Sequence, residues 1–143
     1  MARMQIEFPE TALFTHEIAV RIDDINYGGH LGHDRLVSLL HDARVSFFHS
    51  FGADELDTDG FPLMIVELAV SYRGEGFIGH RLKIEIAAGE VASRRADLVY
   101  RVTEGDDERL IAFARTRLVF YDRDKGRAAT LPLTFRGAIK ASS

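Results

Sequence analysis

From Asp23 to Asp34 the chain reads Asp-Asp-Ile-Asn-Tyr-Gly-Gly-His-Leu-Gly-His-Asp, and residues of these types at this spacing are suited to acyl chemistry. A glycine-rich approach to a helix start leaves backbone N–H groups free to meet an oxyanion or a polarised carbonyl. Asn26 and His30 are expected to hold a water, since an imidazole can position or deprotonate water near neutral pH. An amide can be neither a carboxylate nucleophile nor an effective base, so the proton needs another acceptor. Asp34 is one candidate: expected to cap the following helix, it would still stand near the reacting carbonyl. Glu67 is the other, a lone charge in an apolar strand, where an acid must either pair with an arginine or face a cleft. Tyr27, Gly28, Gly29, Gly32 and His33 complete the loop as candidate substrate contacts, the glycines also shaping the turn. Asp23 and Asp24 are expected in solvent or paired with Arg21 or Arg35. His30 and His33 have neither a clear third ligand nor the i, i+4 spacing of helical zinc pairs, so no metal is expected.

Several elements must position this loop. Thr15 to Ile22 alternates in polarity and predicts a half-buried strand. Leu36, Leu39, Leu40, Ala43 and Phe47 predict a helix from about Asp34 or Arg35 to Ser50 with one buried face, ended by Gly52. The acidic stretch from Ala53 to Gly60 predicts a solvated connection. Leu63 to Tyr72 is apolar on both faces apart from Glu67 and predicts a central strand covered on both sides. Further strands are predicted over Leu82–Ala88, Ala96–Val102 and Leu110–Tyr121. In the last of these Ala112, Ala114 and Thr116 share a face small enough for a helix to lie close. The tail from Leu131-Pro132 has no strong pattern. One early helix followed by four strands in hairpin succession predicts an α+β domain spanning 1–143, its helix buried against a curved antiparallel sheet. The open edges of such a sheet predict a homodimer, or a tetramer built from dimers.

The composition narrows the function classes. With 46% hydrophobic and 28% charged residues the chain is of globular type. A net charge of −4 supplies no global basic field for nucleic acid. The absence of cysteine excludes disulfides, thiolate nucleophiles and cysteine-ligated zinc. The first residues form neither a signal peptide nor a membrane span, so a cytoplasmic location without membrane association is expected.

Three stretches resemble the hot-dog fold, in particular the 4-hydroxybenzoyl-CoA thioesterase-like acyl-CoA thioesterases. The first is Asp24 to Leu36 with His41-Asp42-Ala43-Arg44. The second is Ile65 to Tyr72 with Phe77-Ile78-Gly79-His80-Arg81-Leu82. The third runs from Ala114 to Pro132. The resemblance implies one long helix wrapped by about five antiparallel strands and hydrolysis of an acyl-CoA or acyl-carrier thioester at a dimer interface. It implies no cofactor beyond the coenzyme A of the substrate, whose phosphates could meet Arg73, Arg81, Arg94, Arg95, Arg115 or Arg117. The chain departs from the family pattern at three places. Asn26 stands where many members carry the acting aspartate, Gly32-His33 stands for Asn-Asn, and His80 for Asp. Asp24-x-Asn26 with His30 also resembles the Asp-x-Asn-Pro-x-His motif of hot-dog enoyl-CoA hydratases, although Tyr27 replaces the proline and one residue is added. A non-catalytic acyl-CoA binding protein is the third reading, prompted by the missing aspartate.

Overall fold

The glycine loop is held at one end of a long helix, and that helix lies in the hollow of a single antiparallel sheet. In the computed structural model, which describes residues 4–140, the elements are β1 (Phe14–Ala19), a 3-10 turn (Ile22–Asp24), α1 (His33–Ser50) and β2 (Leu63–Tyr72). There follow β3 (Arg81–Val91), β4 (Ala96–Glu104), β5 (Arg109–Asp122), β6 (Arg127–Ala128) and α2 (Leu133–Lys140). The sheet order is β1-β3-β4-β5-β2, with the short β6 beside β5. This is the α+β hot-dog arrangement expected from the sequence.

The helical periodicity explains the packing. Leu36, Leu39, Leu40, Ala43, Phe47 and Phe48 are buried against Ile84, Ile86, Leu98, Val102 and Leu118 of the sheet, in one core. Each of these Leu, Ile, Val and Phe side chains contributes about 1.5–3 kcal/mol by leaving water. Ala112, Ala114 and Thr116 are buried on the same sheet face, but α1 comes nearest to β1 and β3 rather than to β5. At its far end α1 stops in a Schellman motif. Gly52 takes a φ of 78°, its amide bonds to the His49 carbonyl, and the Ala53 amide bonds to that of Phe48.

Four expectations change. β1 ends at Ala19, because Ile22 begins the 3-10 turn and faces solvent. β2 is not central: it crosses to the far side of β5 and forms an edge, with Met64, Ile65, Val66 and Leu68 exposed. An open apolar edge has the same composition as a strand buried on both faces, so patterning alone does not separate them. Only β3, β4 and β5 follow in hairpin succession. The tail forms α2, whose buried Phe135 stacks on Phe48 at 5.7 Å and meets Phe120 at 5.1 Å.

Candidate active site

The loop before α1 uses most of its own hydrogen-bonding groups to hold its shape. Asn26 Oδ1 accepts the amides of Gly28 at 3.0 Å and His30 at 3.2 Å, while the backbones of Asn26 and His30 pair through Asn26 N–H at 2.8 Å. Gly29 closes the turn with a φ of 84°, a left-handed conformation open to glycine at little cost. The Leu31 amide bonds to the Gly76 carbonyl at 2.7 Å, tying the loop to the β2–β3 connection. Asp24 is buried and pairs with Arg21, one of the two settings expected for it: its carboxylate lies 3.9 Å from Arg21 Nε and accepts the Arg21 amide at 2.9 Å, and its carbonyl accepts the Gly32 amide at 2.9 Å.

Gly32, not Asp34, is the N-cap of α1, and no side chain caps it. Asp34 instead occupies the second helical position and lies over Gly32, where an added Cβ would stand 2.8 Å from Asp34 Oδ1. The Gly32 amide is already bonded, so the polarising donors narrow to the amides of His33, Asp34 and Arg35. These have no acceptor among the described residues. They carry the positive end of an 18-residue helix. The Tyr72 hydroxyl donates to the His33 carbonyl at 3.0 Å and pins this turn to the end of β2. Partial burial and then the negative charge of Asp34 push the Tyr72 phenol above its ordinary pKa.

His30 packs on Phe77, with ring centroids 5.2 Å apart. Glu75 Oε2 lies 3.2 Å from His30 Nδ1, off the direction of a hydrogen bond, so that nitrogen lacks a bonded partner among the described residues. Glu75 was not foreseen. Its partner is 45 positions away in the chain, and its setting between Gly74 and Gly76 was the single local signal. Tyr27 is fully exposed, and its side chain has no hydrogen bond or ring contact among the described residues. His33 is exposed, edge-on to Tyr72 at 6.5 Å.

Glu67 does not face the helix. The β2–β5 register slips at Val66, so that Ile65 opposes Leu118 and Glu67 opposes Arg117. Simple alternation would have put Glu67 on the face of Ile65; the bulge turns it to the outer face. There it lies 3.3 Å from Arg115 and 3.5 Å from Arg117. Both arginines share that face and also meet Asp97. Arg81 and Arg95 pair with Glu17 and Glu90. Arg94 has no acidic partner among the described residues and lines a cavity with Lys125, Arg127 and one carboxylate, Asp122.

Between α1 and β2 runs a groove of about 260 Å³ lined by Val37, Leu40, Ile65 and Leu68, with Ser38, His41, Arg44 and Thr116 as its polar members. Among the described residues no group of three or more His, Asp or Glu side chains could hold a metal ion. No helix there is long and apolar enough to cross a membrane.

A family model described as the thioesterase-like superfamily matches residues 20–139. Similar solved structures include Slr0204 from Synechocystis, a 1,4-dihydroxy-2-naphthoyl-CoA thioesterase. It is 22% identical with a TM-score of 0.82 over 89% of this chain and 95% of that one. SAV2348 from Staphylococcus aureus, solved in complex with CoA, is 17% identical with a TM-score of 0.81 over 96% and 87%. A DHNA-CoA thioesterase from Staphylococcus aureus is 16% identical with a TM-score of 0.77 over 90% and 89%. Comparison with curated protein sequences gave no match.

Proposed function

The chain belongs to the thioesterase-like superfamily, and from that premise we propose that it hydrolyses the thioester of an acyl-CoA at the N-terminal end of α1. The observation that carries this reading is the first helical turn, whose three amides have no acceptor among the described residues, beside a loop that supplies an amide and an imidazole. The thioester carbonyl accepts hydrogen bonds from the His33, Asp34 and Arg35 amides, and the helix end stabilises charge as it develops on that oxygen. The Asn26 side chain spends its oxygen on the loop and keeps its NH₂ group to orient water. His30, with Glu75 beside its Nδ1, takes a proton from that water through Nε2 as the oxygen adds to the carbonyl carbon. Collapse of the adduct breaks the C–S bond, and the proton passes to the departing thiolate, leaving a carboxylic acid and free coenzyme A. Asp34 is the alternative acceptor; Glu67, held by two arginines on the outer face, has no part.

The site is completed by a second copy of the chain. β2 exposes a ten-residue edge with Met64, Ile65, Val66 and Leu68 in the open, a surface that soluble proteins ordinarily cover. Antiparallel pairing of two β2 strands brings the start of one beside the end of the other. The cavity of Arg94, Lys125 and Arg127, which also contains Phe61 just before β2, then lies toward the partner's Tyr72. Cations so placed suit the phosphates of coenzyme A. The CoA complex of SAV2348 and the naphthoyl-CoA thioesterase activity named for Slr0204 support a CoA ester as substrate.

Thiol release from a panel of acyl-CoAs tests the reading. Asn26→Ala and His30→Ala should each lower kcat/KM by about 10²-fold or more, the usual cost of losing one positioning or acid–base group. Unchanged rates in both variants would remove the assignment, and tight CoA-ester binding without turnover would make the protein a binder instead.

A further inference from the structure

The groove beside α1 has an unusual floor for an apolar slot. Arg44 is buried, yet it projects from the helix among Val37, Leu40, Ile65 and Leu68. Its Nε donates to Glu55 Oε2 at 2.8 Å and its Nη1 to the Tyr100 hydroxyl at 3.5 Å. Tyr100, wholly buried, is 2.8 Å from Thr116 Oγ1, and Thr116 also lines the groove. A guanidinium has five N–H donors and no acceptor, so three of the five have no partner among the described residues. No Arg44 nitrogen is both sealed from solvent and unpaired: these N–H groups open on the slot, where an apolar group would strip their water without replacing it.

Charge counting narrows what could pair with them. Glu55 already neutralises the guanidinium, and His41 stands 3.2 Å from the same carboxylate. An anionic ligand group would put a second carboxylate on one arginine in a poorly solvated place, which costs far more than placing a neutral oxygen there. The distance is also restrictive. Ten residues separate Asp34 from Arg44, about 15 Å of helix, and side chains lean back toward the helix start, shortening the gap to roughly 10 Å.

We propose that Arg44 is a specificity-determining residue, its free N–H groups receiving a neutral oxygen, a hydroxyl or carbonyl, at the far end of the acyl group. This inference rests on the proposed thioesterase reading for where the thioester sits, and it concerns the groove rather than the chemistry.

Three eight-carbon esters test it: 8-hydroxyoctanoyl-CoA, octanoyl-CoA and octanedioyl-CoA. The wild type should prefer the hydroxy ester over both others in kcat/KM by about 10-fold or more, because an apolar chain end leaves the donors unpaired. Arg44→Met should erase that preference, bringing the kcat/KM ratio of the hydroxy ester to octanoyl-CoA down to about one. Glu55→Gln retains the arginine but removes its counter-charge, so the preference should move toward octanedioyl-CoA, a change that a purely structural Arg44 would not produce. Unaltered ratios among the esters in a folded Arg44→Met, or in Glu55→Gln, would overturn the proposal. Should the wild type hydrolyse none of the three, the wider acyl-CoA panel decides the thioesterase reading. Calorimetric binding of the same esters then decides this one: the hydroxy ester binding tightest upholds it, equal affinities refute it.

Discussion

The two ends of α1 are built in opposite ways. At the C-terminal end the backbone is sealed by Gly52 and Ala53, and Phe47, Phe48, Phe51 and Phe135 pack around it. Asp59 reaches over to accept the amide and hydroxyl of Thr134 in the first turn of α2. At the N-terminal end three amides have no acceptor among the described residues, the cap is a glycine, and the neighbouring side chains are polar and accessible. A helix needs some means of satisfying its terminal groups, and here one end obtains it within the chain while the other keeps it for something from outside. The contrast separates what α1 does for the fold from what it does for the reaction.

Changes at the sealed end should cost stability and spare the chemistry. Phe48→Ala removes the ring that Phe120 and Phe135 meet and should lower unfolding free energy by about 3–5 kcal/mol in urea titrations, with little change in activity per folded molecule. Asn26→Ala sharpens the comparison from the other side. It removes two loop bonds and a positioning amide, so the kinetic loss given above should come with only a small shift in melting temperature.

Gly52→Ala forces a side chain into the left-handed region and should cost about 1–2 kcal/mol with kcat unchanged. Tyr72→Phe deletes the bond to the His33 carbonyl and should cost about 1 kcal/mol, with a modest rise in KM as the first turn loosens. Acid should act at the sealed end as well. The bonds from the Thr134 backbone and then its hydroxyl hold the Asp59 carboxyl below its ordinary pKa. Its contribution is therefore present above the ordinary carboxylate value and is lost as pH falls through the lowered one. Asp59→Asn should flatten that part of the acid unfolding curve, measured by circular dichroism; an unaltered curve would show that the contact contributes nothing.

Much of the sealed end was legible in the sequence, because helical periodicity and a terminal glycine are local signals. The small face of β5 was legible for the same reason. The open end was legible in its residue types and not in their wiring. Nothing local says that Gly32 rather than Asp34 caps the helix, or that Asp24 is buried to hold the entry to it. The bulge at Val66, which turns Glu67 away from α1, is a property of pairing with β5 and leaves no trace in the alternation of β2 itself. Glu75 reaches His30 only through tertiary contact. α2 follows a proline and is eight residues long, too short for its periodicity to stand out.

The open first turn of α1 should receive the thioester carbonyl. A non-hydrolysable acyl-CoA ketone, in which CH₂ replaces the thioester sulfur, can be titrated into ¹⁵N-labelled protein while amide proton shifts are followed. The His33, Asp34 and Arg35 amides should move downfield more than any others as they acquire an acceptor. If those three stay in place while amides elsewhere shift, the carbonyl binds somewhere else and the account is contradicted.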